Sequence, residues 1–189
     1  MHHHFLLFKP DGYLTQFVYN NKRKKKLLGE LYNFPEGTMA IGRLDENSEG
    51  LLLLTTDGMM SEKVRSKKVE KEYYVMLDGI ITQEAIDQLQ QGVEIGIRNE
   101  KYTTKPCKAF ILEEVPNFPT RTKKIRDERH GPTSWASITI TEGKNRQVRK
   151  MTAAVGFPTL RLVRVRIGSI KLGNLQPGEV RELEVIEVD

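Results

Sequence analysis

The stretch GRLDENSEGLLLLTTDG, Gly42 to Gly58, decides how this chain folds. A polar, turn-forming cluster from Asp45 to Gly50 stands before four consecutive leucines, Leu51 to Leu54. An apolar run so short, closed by Asp57 and Gly58, reads as a buried strand rather than a helix. TMAIGRLD, Thr38 to Asp45, reads as a second strand running into the cluster. Arg43 and Asp45 are two apart on it, and strand alternation would send both side chains to one face. The ordinary use of DENSEG is a turn in which Asp45 accepts bonds from nearby backbone amides. An Arg and an Asp aimed together serve another purpose better: a cleft that holds a base with the guanidinium and works on its sugar or ring with the carboxylate.

The rest of the chain is a series of short elements. FLLFKP, Phe5 to Pro10, is a strand closed by a Lys-Pro turn, and KLLGELY is a short helix candidate. MMSEKVRSKK suits a helix, and KEYYVMLDG alternates as a strand with Tyr73, Val75 and Leu77 on one face. TQEAIDQLQQG is a helix with Thr82 as its cap and Gly92 just past its end. TKPCKAFILEEV and SWASITITEG are strands, and NRQVRKMTAAVG is a helix with Asn145 as a plausible cap. LRLVRVRIG and EVRELEVIEV add two more strands. The class expected is α+β, a mixed, largely antiparallel sheet with flanking helices. At 189 residues the chain fits a single domain, expected as two lobes around one central cleft.

Composition narrows the function classes. No apolar run approaches the roughly 18 residues that a membrane helix needs. One cysteine, Cys107, excludes an internal disulfide framework and fits a reducing, cytoplasmic setting. The triplet His2 to His4 abuts Met1 and is set aside from functional reasoning, leaving His130 alone in the body of the chain. A net charge of +5 is modest but unevenly placed. Lys22 to Lys26 are all basic, and Arg121, Lys123, Lys124, Arg126 and Arg129 crowd a second run. Lys144, Arg146, Arg149 and Lys150 form a third group, and Arg161, Arg164 and Arg166 a fourth. Single basic runs are usually solvated loops, but this many clusters suit a polyanion, and nucleic acid above all. A metal-dependent nuclease would need carboxylates or histidines at ligand spacing, which the sequence does not offer.

GRLDENSEGLLLLTTDG resembles the signature segment of the RsuA-type pseudouridine synthases, in which a G-R-L-D sequence carries the essential aspartate. KEYYV resembles that family's K-x-Y-x-V strand, EGKNRQVRKM its E-G-x-x-x-Q-V-R-R-M helix start, and RLVRVRIGSI its L-x-R-x-x-x-G strand. These matches run in the family's order from Gly42 to Gly168. Arg146 stands where many members have His, and the matched part is expected to act without an RNA-binding S4 domain. With PTSW and GFPTLRLVR, these features resemble the RluE subgroup, which acts on large-subunit (23S) ribosomal RNA.

The resemblance implies the pseudouridine synthase fold with a central RNA-binding cleft and isomerisation of uridine to pseudouridine. It implies no cofactor, no metal and no small-molecule partner, and a monomer is expected. Asp45 is implied as the catalytic carboxylate, attacking the sugar or base or starting deprotonation at C2′. Tyr73 is implied as the residue stacked on the flipped base, and Arg149 as the positive partner of Asp45. Leu162 would pack under the uracil, and Arg43 would fill the gap left by the flipped nucleotide. Lys71, Arg146, Gln147 and Arg164 complete the expected substrate-binding set, and Trp135 and Tyr74 are expected to be structural. A non-catalytic RNA-binding module of ribosome assembly is the alternative; it accounts for the basic clusters but gives no reason for the Arg43, Asp45, Tyr73 and Arg149 set.

Overall fold

The computed structural model describes residues 1–121 and 123–189. Thr122, inside the second basic run, lies outside the described residues. The chain divides into two compact units: Met1–Val69 with Pro119–Lys123 and Arg164–Asp189, and Glu70–Phe118 with Lys124–Val163.

In the first unit the leucine run is the strand Glu49–Thr55, and Leu51 to Leu54 are all completely buried. Burial of every leucine means that both faces of this strand are covered, which is why the sequence runs apolar without alternation. The strand His4–Lys9 lies antiparallel to it, with Leu7 opposite Leu52, and pairs on its other side with Val180–Leu183. Phe5, Leu7, Leu28, Leu52 and Leu54 form the core, edged by Phe17, Leu31 and Phe34. Each buried leucine contributes about 2 kcal/mol relative to exposure. Helix α1, Gly58–Ser66, starts where the Asp57 carboxylate accepts a 3.0 Å bond from the Met59 amide.

KLLGELY departs from its expected helix. Lys26–Leu27 is a strand pair and Leu28–Glu30 a single 3-10 turn, closed by the Glu30 carboxylate on the Leu27 amide. So short a segment cannot offset helix nucleation. His3 and His4 also belong to the fold: the His4 ring bonds the Thr55 hydroxyl at 2.9 Å and is buried.

The second unit is built on the antiparallel strands Lys71–Asp78, Thr133–Ile140 and Lys108–Leu112, with Tyr73 opposite Ile138 and Ile138 opposite Ala109. One face of this sheet carries helices α2, Gln83–Gln91, and α3, Gln147–Ala154, over a core that includes Val75, Leu77, Ile86, Leu89, Val148 and Met151. α2 begins and ends as its sequence implies: the Thr82 hydroxyl accepts from the Ala85 amide, and Gly92 takes φ +107°. The opposite face carries Tyr74, Phe118 and Trp135 in a row, with ring centroids 6.2 and 5.9 Å apart, and the Arg161 guanidinium 5.6 Å from the Phe118 ring. The structural roles expected of Tyr74 and Trp135 agree with this row. The unit also contains a hairpin without a clear sequence signal, Glu94–Ile97 with Glu100–Thr103. Its two-residue turn, Arg98 and Asn99 at φ 50° and 66°, lacks the glycine that marks such turns.

The strand Thr159–Ile167 carries the chain from the second unit into the first. Its Arg164 backbone approaches Gly50 so closely that a Cβ there would stand 2.3 Å from the Arg164 carbonyl oxygen, and Gly50 has φ +111°. Both facts require glycine. Gly50→Ala should destabilise the protein by roughly 2–3 kcal/mol, read as a fall in chemical-denaturation midpoint. Unchanged stability would mean that the two backbones are not in contact.

Candidate active site

The first unit holds Asp45. The expected strand ends early, at Ile41, because Gly42 turns the chain with φ +72°. Arg43 and Asp45 therefore stand on a loop, and the strand-alternation argument that paired them does not apply. What holds the loop is its neighbour. Leu44 is buried, and the Thr15 hydroxyl both donates to the Leu44 carbonyl at 2.7 Å and accepts from the Leu44 amide at 3.1 Å. The Ser48 amide then donates to the Asp45 carbonyl at 3.0 Å, closing the turn. Between these fixed points Asp45 is half-buried and Arg43 is exposed.

Behind the loop lies a lysine that reads in the sequence only as part of a turn. Lys9 is completely buried, and its ammonium donates to the carbonyls of Pro10 at 2.8 Å and Glu46 at 3.2 Å. The Gly12 amide reaches the same Glu46 carbonyl at 2.8 Å. Burial pushes the Lys9 pKa down to about 8, while the charges of Asp11, Glu49, Glu46 and Asp45 act against that fall. Arg121 adds a second, largely buried cation, 3.4 Å from Asp11 and 3.8 Å from Glu49, and Lys25 bonds the Glu46 carboxylate at 3.0 Å. Unpaired, carboxylates as buried as Glu49 would cost several kcal/mol. Lys9 and Arg121 make the arrangement tolerable.

The second unit holds Lys71, Tyr73, Arg146, Gln147, Arg149 and Leu162 of the expected set. Tyr73 is half-buried and packs against the core cluster that contains Leu162, itself buried. Arg149 is half-buried on the first turns of α3, and Arg146 is exposed just before that helix. The expected Asn145 cap is absent: Arg146 occupies the N-cap in the left-handed conformation, φ 51° and ψ 35°, without a side-chain cap bond. The Lys71 ammonium lies beside Gly143, 3.7 Å from where a Cβ would stand.

Two of the expected substrate contacts are turned into the fold. Gln147 is buried, its amide donating to Glu142 at 2.8 Å and its oxygen accepting from the Lys144 amide at 3.2 Å, so its polar atoms serve the fold. Arg164 is also buried, its Nε donating to the Leu51 carbonyl at 2.8 Å. The charge of Arg164 suggested a surface, but the close approach of its backbone to Gly50 places it inside.

A family model for RNA pseudouridylate synthase matches residues 3–154. The chain belongs to this family. Ribosomal large subunit pseudouridine synthase E of Vibrio parahaemolyticus is 41% identical over 179 residues, covering 94% of this chain and 72% of that protein. The synthase E of Xanthomonas campestris is 42% identical over 178 residues, covering 93% of this chain and 92% of that protein. Ribosomal large subunit pseudouridine synthase B of Bacillus subtilis is 33% identical over 187 residues, covering 98% and 69%. Among solved structures, a pseudouridylate synthase crystal structure aligns with a TM-score of 0.76 at 29% identity, covering 97% of this chain and 70% of that one. The α+β class expected from the sequence agrees with that likeness. Among the described residues, no group of His, Cys, Asp and Glu is arranged to hold a metal ion, and no helix is long and apolar enough to cross a membrane.

The lowered pKa of Lys9 has a thermodynamic consequence. Between about pH 8 and the ordinary lysine value of 10.5, the unfolded chain keeps a proton on Lys9 that the folded chain has lost. The unfolded state then binds more protons, so this group makes stability rise with pH across that window, by about 3 kcal/mol in all. Lys9→Met should remove the rise: the stability difference between parent and variant, measured by denaturation from pH 7 to 11, should change by that amount. Parallel pH–stability curves would show that the lysine is not desolvated.

Proposed function

We propose that this protein isomerises a specific uridine of large-subunit (23S) ribosomal RNA to pseudouridine, with Asp45 as its catalytic carboxylate. The observation that carries the proposal is the Asp45 loop. In a chain of this family, an aspartate is held half-buried between the Thr15 bonds to Leu44 and the Ser48 bond to its own carbonyl, with the charge of buried Lys9 behind it. The names of the relatives supply the substrate class, since the synthases E and B act on the large ribosomal subunit. The reaction breaks the N1–C1′ bond and joins C5 to C1′; N1 gains a proton and C5 loses one, so no oxidant or cofactor is consumed. A base stacked in RNA cannot rotate in place, so the target nucleotide is first flipped out. Asp45 then attacks, or starts the reaction by deprotonating C2′.

Tyr73 and Arg149 are assigned as its catalytic partners, the ring on the flipped base and the guanidinium as the stabilising charge. Leu162 is assigned to the uracil ring, and Arg43, Lys71 and Arg146 to the surrounding RNA. The protein is assigned to the cytoplasm as a monomer. Exposed Lys22, Arg23 and Lys24 are assigned to phosphates. Lys25 is occupied by Glu46, and exposed Lys26 stands 5.5 Å from the Tyr13 ring, so the first three residues of the run are the ones assigned.

Asp45→Asn keeps the shape of the side chain and removes its charge. Single-turnover formation of pseudouridine at saturating RNA should fall at least ~1,000-fold, or about 4 kcal/mol of transition-state stabilisation, with RNA affinity nearly unchanged. A variant within about tenfold of the parent would remove Asp45 from the chemistry.

Replacing Lys22, Arg23 and Lys24 with serine should weaken RNA binding and lower the slope of log K against log salt by about 0.7–0.9 for each phosphate no longer neutralised. The single-turnover rate at saturating RNA should stay constant. A collapsed rate would mean that this run organises the reaction rather than the encounter.

A further inference from the structure

Glu142 is the first residue of the EGKNRQVRKM segment, and the reaction as described gives it no task. The structure surrounds it with donors. The Tyr102 hydroxyl makes a short bond to one carboxylate oxygen. The other oxygen accepts from the Lys105 amide at 3.0 Å and from the Gln147 side chain at 2.8 Å. Gln147 passes the connection on: its side-chain oxygen accepts from the Lys144 amide at 3.2 Å, and its backbone amide donates to the Lys144 carbonyl at 3.1 Å. The Lys144 ammonium stands 5.0 Å from the Tyr102 ring. The turn from Glu142 to Gln147 is thus tied at both ends to one carboxylate and to the segment that follows the Glu94–Thr103 hairpin.

That tie has a load. Arg146 sits in the left-handed region, where a non-glycine residue is strained, and α3 begins without the side-chain cap that normally orders a first turn. Strained backbone of this kind persists only where its surroundings over-determine it. Here Gln147, the first residue of the helix, supplies the order through Glu142. The protonation state agrees. Burial acts to raise the Glu142 pKa, but the bonds from Tyr102, Lys105 and Gln147 hold it below the usual glutamate value, so it remains an acceptor. The same bond pushes the Tyr102 hydroxyl up, so it remains a donor.

We propose that Glu142 is a positioning residue, which holds the left-handed turn at Arg146 and thereby sets Arg146 and Arg149 toward the substrate RNA. This rests on the reading that both arginines serve the reaction. It explains why the segment carries a glutamate and a glutamine that are both turned into the fold, beside two arginines a few residues on.

The test is a double-mutant cycle between Glu142→Gln and Arg146→Ala in the full chain. The glutamine keeps the size of the side chain but brings a donor to a place where three donors already converge. It should lower the single-turnover rate at saturating RNA about tenfold or more, while the circular dichroism spectrum remains that of the parent. The double variant should lose less than the product of the two single losses, because part of the clamp's effect runs through Arg146. Amide hydrogen exchange at Lys144 and Gln147 should quicken in Glu142→Gln. A rate within twofold of the parent, or losses that multiply in the double variant, would overturn the proposal. If Glu142→Gln does not fold, Tyr102→Phe removes one donor and leaves the carboxylate. It should slow the reaction about threefold and couple to Arg146 in the same sense, and independent losses would again overturn the clamp. If the parent forms no pseudouridine, the isomerase reading falls by itself, and the cycle is then read in RNA affinity. Coupled losses keep Glu142 as the residue that sets the arginines, and independent losses remove it.

Discussion

The Thr15 hydroxyl, bonded both ways to the Leu44 backbone, is the constraint on which the account of Asp45 depends. A catalytic carboxylate gains little from its chemistry alone; it must be held where the substrate will be. Loops hold side chains poorly unless their backbone bonds are taken up by rigid elements. Here burial of Leu44 gives the loop an anchor, and Thr15 satisfies both polar groups of that residue. Lys9 and Gly12 fix the carbonyl of Glu46 a little further on. Since Lys9 ends the strand His4–Lys9, the position of the loop is tied to the register of that strand on the leucine run.

Electrostatics reinforces the same arrangement. Asp11, Glu49 and Glu46 would repel Asp45 and one another if they stood alone. Buried Lys9, largely buried Arg121 and partly exposed Lys25 convert that repulsion into a set of paired charges. Removing one member of a buried set leaves the others uncompensated and costs more than the pair contributed. The charges around Asp45 therefore act as a unit. The second unit uses another device, a single carboxylate that collects donors from the α3 turn and from Tyr102.

Much of this was legible in the residues. The leucine run, the alternation of Lys71–Asp78 and the cap and terminating glycine of α2 are local signals, and local structure followed them. The Gly-Arg-Leu-Asp segment pointed to Asp45 through its resemblance to a family signature, while the strand alternation that paired Arg43 with it did not hold, because Gly42 turns the chain. Other features depended on contacts that the sequence does not display. Arg164 looked like a surface cation because arginine usually is one; only the approach of its backbone to Gly50 reveals that it is buried. Gln147 was expected at the substrate, and here its side chain is held by Glu142 and the Lys144 amide. Lys9 read as part of a turn because a buried ammonium is recognised by the carbonyls and carboxylates around it, and beside Pro10 and Asp11 these come from Asp45, Glu46 and Glu49, far along the chain.

The most direct measurement is chemical mapping of pseudouridine in unmodified ribosomal RNA, incubated with the protein in the presence of a strong metal chelator. The account predicts a new pseudouridine at one uridine of the large-subunit RNA, with the strands intact and the small-subunit RNA unchanged. RNA that is bound but unmodified, or RNA that is cut, would contradict it.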